Sequence, residues 1–365
     1  MRSLYIILVI LCCTQVACAQ HNYKQYHLGI NRAEEQAFVE QDIKAALATF
    51  QQTFSQYDFV FVHDCMTAIQ LALYDSNRTA FLELADKAAK NGLLPRHMNA
   101  IGYIRKHPIY QQYSDSIVRI CLRNRPGYLA RIDTTALNKM YSLYAYDQME
   151  KNPMKGENRG EIQRRYKPQI AKTMAELKKL IEERGWPSDK LIGIAQKDIM
   201  KELKTGKFDM MDFYNKYKDG YNYSIGIGQF TIEEYGLYST FFFPIMAHYG
   251  GYFGFNFYPD EFYIKQIELG YLHPKDIAYV LDFWVDANHD METTRTRRLN
   301  NRYFGTCMTG RPQTATAESY TAPLSKINRD RSKFYIKPVE TEIAKDQFMH
   351  RHHMYFAWGY NGCRL

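Results

Sequence analysis

Three side chains in this sequence could do acid–base work: His248, Asp147 and Asp282. An imidazole changes charge near neutral pH, so it can take or give a proton. A carboxylate beside it can orient the ring and balance its charge. Asp147 and Asp282 could instead be paired carboxylates at one pocket. The plainer reading is charge on helix surfaces, or an ion pair between two helices. His248 ends the apolar run Phe241–Ala247, where a histidine can equally be a satisfied core residue.

Other constellations carry less. Asp282, Asp286 and His289 stand at i, i+4, i+7, a spacing that could ligate a metal from one helix. That face lies away from the apolar stripe Ile277, Val280, Leu281 and Trp284, so a solvated surface is expected. His350, His352 and His353 form a histidine-rich tract of a kind that can bind transition metals, and an incidental surface cluster is the simpler account. No Cys-x-x-Cys spacing supports zinc. No Gly-x-Ser-x-Gly, His-Glu-x-x-His or Walker pattern occurs. Gly226-Ile227-Gly228 lacks the strand–helix context of a nucleotide loop. Neither a metal nor a cofactor is expected.

The elements that must position these groups read as helices. Tyr249–Gly254 is rich in glycine and predicts a break after His248. A helix is expected from near Pro259, with Asp260 and Glu261 in its first turn, to Gly270. Another begins at Pro274 and carries Asp282. Thr134–Lys151 predicts the helix that carries Asp147. Gln169–Arg184 predicts a second, closed by Gly185, with Trp186-Pro187 turning the chain away. Residues 188 to 235 give a short helix at Ile199–Leu203 and an irregular, aromatic-rich segment. Upstream, helices are expected at 31–56, His63–Tyr74, from the Asn77 cap to Asn91, Leu94–Lys106 and Ile109–Asn124. Short helices with interior alanines suggest an antiparallel array, loosely like tetratricopeptide repeats. An ordinary bundle is the alternative, since no clean 34-residue copies can be marked. Beyond Thr306 the chain reads as polar loop to Ser325, then as a helix over Glu340–Arg351.

The expected fold class is therefore mainly α, a helical array or bundle followed by a second helical domain. Length favours two domains for the 365 residues. Arg125-Pro126-Gly127 is the best boundary signal, because Pro and Gly end helices. The expected division is a signal peptide at 1–19, a helical module at 20–126, a second domain at 127–310, and a tail at 311–365 docking on that second domain.

Arg2, the apolar Leu4–Cys13 and Ala17-Cys18-Ala19 have the charged, apolar and small-residue order of a cleaved export signal. Cleavage after Ala19 would place the protein in the periplasm or outside the cell. A lipid anchor on Cys18 is the rival, disfavoured by Gln15 where an aliphatic residue is wanted. No later run is long enough to span a membrane. The net charge of +8 is spread along the chain, without the fold signature of a nucleic-acid binder. Cys65, Cys121, Cys307 and Cys363 lie beyond the leader. In an exported protein they permit disulfides in three connectivities. Cys65–Cys121 with Cys307–Cys363 is preferred because each bridge stays within one domain, and free buried thiols are the alternative.

From about Thr134 to Thr306 the chain resembles a bacterial domain-of-unknown-function family, DUF six-six-two-four. The resemblance rests on Asp147-Gln148, Gly185-Trp186-Pro187, Gly236 and His248 at the family spacing, Asp282, and Gly305-Thr306. This copy departs from the pattern at Ala247, Phe283, Phe304 and Cys307, where the family has polar or aromatic partners. The resemblance implies a mostly helical fold and no established activity. It also implies that the matched residues meet in space: His248 against Asp147 or Asp282, near Thr306, with Trp186 as a wall and Gln148 and Gly305 beside them. Two functions are expected from these observations. The first is a binding or scaffold protein of the cell envelope, taking a protein, peptide or carbohydrate. The second is a hydrolase using His248 with Asp147 or Asp282.

Overall fold

The computed structural model describes residues 22–150, 156–194, 199–204, 239–254, 257–278 and 323–356. The expected export signal, Gly236, Asp282, Gly305, Thr306, Cys307 and Cys363 lie outside them. The described residues are mainly helical, in fifteen helices without a strand. In chain order these are α1 (Tyr23–Phe38), α2 (Ile43–Ser55), α3 (Val62–Tyr74), α4 (Arg78–Lys90), α5 (Pro95–Asn99), α6 (Gly102–Lys106) and α7 (Pro108–Ala130). Then follow α8 (Thr134–Glu150), α9 (Arg159–Arg184), α10 (Asp189–Ile192), α11 (Ile199–Glu202), α12 (Ser239–Phe253), α13 (Asp260–Glu268), α14 (Leu324–Lys333) and α15 (Val339–His352). No described helix is long and apolar enough to cross a membrane.

The front of the molecule is an array in which α1 packs on α2, α2 on α3, α3 on α4 and α4 on α7. Behind it, α8, α9 and α12 pack on one another as a three-helix group. Helix α1 is the hub, because α13 and α15 both lie against it. One continuous cluster of buried side chains runs from Tyr23 to Phe356. The expected boundary at 126/127 therefore coincides with no break in the core.

Several expected boundaries move. The segment 31–56 is two helices, split at Gln41, which takes a left-handed φ of 58°. Asp42 then caps α2 by accepting from the Ala45 N–H at 2.9 Å. Residues 94–106 also divide in two, at α5 and α6. Pro126 does not end a helix but sits inside α7. Proline removes one helical hydrogen bond, yet the turn on either side is tied down. Arg125 pairs with Glu202 at 2.7 Å through both Nε and Nη2. Buried Tyr128 accepts the Ile194 N–H at 2.8 Å. Gly250 and Gly251 likewise stay helical in α12, and the break falls at Gly254 (φ 84°). Packing against α8 and α9 overrides the low helical propensity there.

The tail differs too. Its described part, 323–356, lies chiefly on α1 and α3 rather than on the second domain. Lys345 Nζ bonds Glu34 Oε1 at 2.5 Å, Phe348 meets Phe38, and Gln70 holds the Tyr355 backbone at 2.6 and 3.0 Å. Toward the rear, Tyr335 donates to Glu268 at 2.6 Å, and Tyr335, Ile336 and Lys337 border one small cavity with His273, Pro274 and Lys275. Glu34 is buried on α1, and a buried carboxylate requires cationic partners; the tail supplies Lys337 and Lys345. Cys65 and Cys121, expected as a bridge, are both buried and free. Helix α4 packs on both α3 and α7, so it stands between the two thiols.

Candidate functional site

Asp147 comes from the end of α8, Tyr166 from α9 and His248 from α12, one residue from each member of the three-helix group. His248 Nδ1 lies 3.0 and 2.9 Å from the two oxygens of Asp147. The Tyr166 hydroxyl donates to Asp147 Oδ1 at 2.5 Å. Asp147 is completely buried, whereas 30% of the His248 side chain is exposed. A charged-group hydrogen bond of this kind is stronger than a neutral one. Here it fixes the ring so that Nδ1–H faces the carboxylate. His248 Nε2, on the opposite side, makes no hydrogen bond to the described residues.

Tyr166 completes the clamp. Burial, and then the Asp147 charge, push its phenol far above the ordinary value. It therefore stays protonated and serves as a donor. Its ring meets His248 edge-on at 5.9 Å and Tyr252 at 5.9 Å. Arg165 beside it bonds Glu150 at 2.6 Å and Glu157 at 2.8 Å, which anchors the start of α9 to the end of α8.

The expected cluster is thus present in its first two members. Asp282, Gly305 and Thr306 lie outside the described residues, as does the side chain of Gln148. Trp186 packs near the beginning of α12, on Phe242 at 5.1 Å, and on Tyr258 and Tyr263. Phe242 and His248 are six residues apart, roughly 9 Å along a helix axis. Among the described residues, the aromatic ring facing His248 is that of Tyr166. Gly185 adopts φ 93° and closes α9, as its type suggests. That turn delivers the fully buried indole of Trp186 to the core.

A second histidine–aspartate pair lies at the front and has no counterpart in the sequence-based reading. His273 Nε2 faces Asp64 Oδ1 at 3.3 Å, and the Tyr26 hydroxyl donates to Asp64 Oδ2 at 2.8 Å. The Lys275 N–H donates to His273 Nδ1 at 3.1 Å. Nδ1 is therefore the acceptor and Nε2 the donor, so both ring nitrogens are used. Lys275 Nζ also reaches His63 Nε2 at 3.0 Å. Burial first, then Lys275, hold the His63 pKa well below its ordinary value. Despite the cost of burial, the surrounding His273, His63 and Lys275 keep Asp64 below the normal carboxylate range. The adjoining cavity, bordered by Glu34, Asp64 and His273, measures about 20 Å³, room for roughly one water molecule. One sequence signal could have found this pair. His63-Asp64 interrupts the apolar run Phe59–Val62 and Cys65-Met66, and polar groups inside such a run must find partners.

Among the described residues no cluster of three or more His, Cys, Asp or Glu side chains could hold a metal ion. Of the histidine tract, His350 lies 3.7 Å from Asp346 and His352 packs on Phe348 and Tyr74. Compared with known proteins, the chain matches no family model, no curated protein and no solved structure.

Proposed function

We propose that the chain is an exported binding protein of the cell envelope, and that His248 is the contact point of its ligand site. The observation that supports this is the asymmetry of the pair: a fully buried carboxylate fixes one ring nitrogen, and the partly exposed ring has its other nitrogen without a described partner. A pre-oriented polar group at a surface suits ligand capture, because no ordering of that ring remains to be done on binding. Export rests on the leader-like residues 1–19. The ligand class in this reading is peptide, protein or carbohydrate, without nucleic acid.

The test is a thermal-shift and calorimetric screen of oligosaccharides and short peptides against the wild type and His248→Ala. A hit that depends on His248, with both proteins equally folded, supports the reading. Hits unaffected by the substitution, or no hits at all, overturn it.

A second reading follows from the free Nε2, which is also where a general base would accept a proton. In that case the protein is a hydrolase, with Asp147 orienting His248. Hydrolysis of chromogenic esters or glycosides that is lost in both His248→Ala and Asp147→Asn would favour it over simple binding.

A further inference from the structure

A groove of about 290 Å³ opens where the end of α1, the turn into α2 and the end of α3 meet α15. It uses none of the residues around His248. Its floor is aromatic: Phe348 meets Phe38 at 5.4 Å and Tyr74 at 5.1 Å, and His352 lies against both Phe348 and Tyr74. Tyr74 is 40% exposed, so its ring is open to a ligand.

The polar groups on the groove are equally informative. Gln41, Gln347, the Tyr74 hydroxyl and Arg351 make no hydrogen bond or ion pair to the described residues. Elsewhere on α15 the charged groups are engaged: Lys345 with Glu34, Glu342 with Lys337, His350 with Asp346. The helix presents Ala344, Gln347, Phe348, Arg351 and His352 to the groove, and none of the lining residues is acidic. Burial, then Arg351 and His353, lower the His352 pKa, which leaves Arg351 as the dominant charge. Gln41 stands on the rim in the left-handed region at φ 58°, a conformation that non-glycine residues keep only where the surroundings hold it.

These features select a ligand by chemistry. An aromatic floor takes the apolar face of a ring. Two carboxamides and a phenol match hydroxyls spread round that ring. A guanidinium in a groove with no acidic lining residue matches a carboxylate in a two-pronged contact. The volume is at the lower end for small-molecule sites. We propose that this groove binds a sugar acid, a pyranose bearing a carboxylate, with its ring on Tyr74, which buried Phe348 supports from beneath, and its carboxylate on Arg351.

The test is calorimetric or NMR titration of the whole chain with glucuronate and digalacturonate, and with glucose and benzoate as controls. Saturable binding of the uronates, at least tenfold tighter than glucose, is expected. Arg351→Gln should remove that preference, leaving any residual affinity equal to that for glucose. Tyr74→Leu, checked for unchanged melting, should weaken uronate binding at least fivefold. His248→Ala should leave it intact, which separates this site from the one proposed above. Three results would overturn the inference: no uronate binding at millimolar concentration, uronate binding unaffected by Arg351→Gln, or benzoate binding more tightly than either uronate.

Discussion

The two histidine–aspartate pairs are built from the same groups and differ in what the second ring nitrogen does. At the front, His273 gives one nitrogen to Asp64 and the other to the Lys275 backbone, and only 7% of its side chain is exposed. At the rear, His248 gives one nitrogen to Asp147, its other nitrogen makes no hydrogen bond to the described residues, and 30% of its side chain is exposed. Each aspartate is steadied by a tyrosine, Tyr26 in one case and Tyr166 in the other. A carboxylate–imidazole contact by itself therefore says nothing about function. The free nitrogen and the exposure of the ring separate a tie between segments from a group able to meet a ligand. The front pair ties α1 and α3 to residues more than two hundred positions later, whereas the rear pair has one side left over.

The comparison breaks most visibly at Asp64. Removing one member of a buried ion pair strands the other, so Asp64→Ala should cost about 3–5 kcal/mol in urea unfolding. If that variant fails to fold, Asp64→Asn, which keeps the shape, should unfold at a clearly lower midpoint than wild type. A loss below about 1 kcal/mol for Asp64→Ala would mean the front pair is not a structural tie.

Acid should find the same region next. His27 is buried beside His273, and burial, then that neighbour, bring its pKa down to about 3. His63 is shifted in the same direction. A histidine whose folded pKa is depressed binds fewer protons when folded than when unfolded. Its contribution is complete above the unfolded value near 6.5 and is lost as pH falls toward the folded value. Asp64, also depressed, adds a further loss only below about pH 4. Stability should therefore fall between pH 6.5 and 4, by on the order of 3 kcal/mol for a group shifted like His27. Melting temperatures across that range should flatten in His27→Phe. An identical slope in wild type and variant would remove His27 from the account.

The two histidines can then be compared directly. His273→Ala removes the bonds that His273 makes to Asp64 Oδ1 and to the Lys275 N–H in a buried site, leaving Asp64 only its Tyr26 donor among those described, and should cost about 1–3 kcal/mol. His248→Ala, at a wetter position, should cost about 1 kcal/mol or less. Equal losses in matched denaturant titrations would erase the distinction.

Local chemistry was legible in the sequence wherever it decided the structure alone. Asn77 caps α4 by accepting the Ala80 N–H at 3.1 Å, and Gly185 and Gly270 close α9 and α13 with positive φ. The helical class follows from such signals. The Asp147–His248 contact could be expected only through the matched pattern, since 101 residues separate the two. Three things were hidden by tertiary packing. Pro126 and Gly250-Gly251 read as breaks, yet lie in helices braced from outside. The split at Gln41 carries no glycine or proline, and only the Asp42 cap betrays it. The front pair spans 209 residues, and no periodicity links α3 to His273. The contact of the described tail with α1 was hidden because its binding feature, the buried Glu34, belongs to a helix whose other face looks ordinary.

The smallest expected effect is the sharpest test of the rear pair. Tyr166→Phe removes a single hydroxyl and leaves its ring against His248 and Tyr252. Asp147 then loses one donor but keeps the imidazole. The cost should be about 1 kcal/mol, because a hydrogen bond to a charged acceptor is lost while the carboxylate retains other partners. The informative readout is the His248 ring rather than the melting curve. With Tyr166 present, Asp147 Oδ1 is shared between the phenol and the imidazole. Without it, the carboxylate turns its full acceptor strength on Nδ1–H, and that hydrogen bond strengthens. The His248 Nδ1–H proton resonance should therefore lie further downfield in Tyr166→Phe than in wild type, with Nδ1 still the nitrogen facing Asp147. The ring signals of His273, tied to a different aspartate, should be the same in the two proteins and serve as the internal reference. An unchanged His248 Nδ1–H resonance would mean that Tyr166 only fills space, and the rear pair would then lack the clamp that sets it apart from an exposed histidine beside an acid.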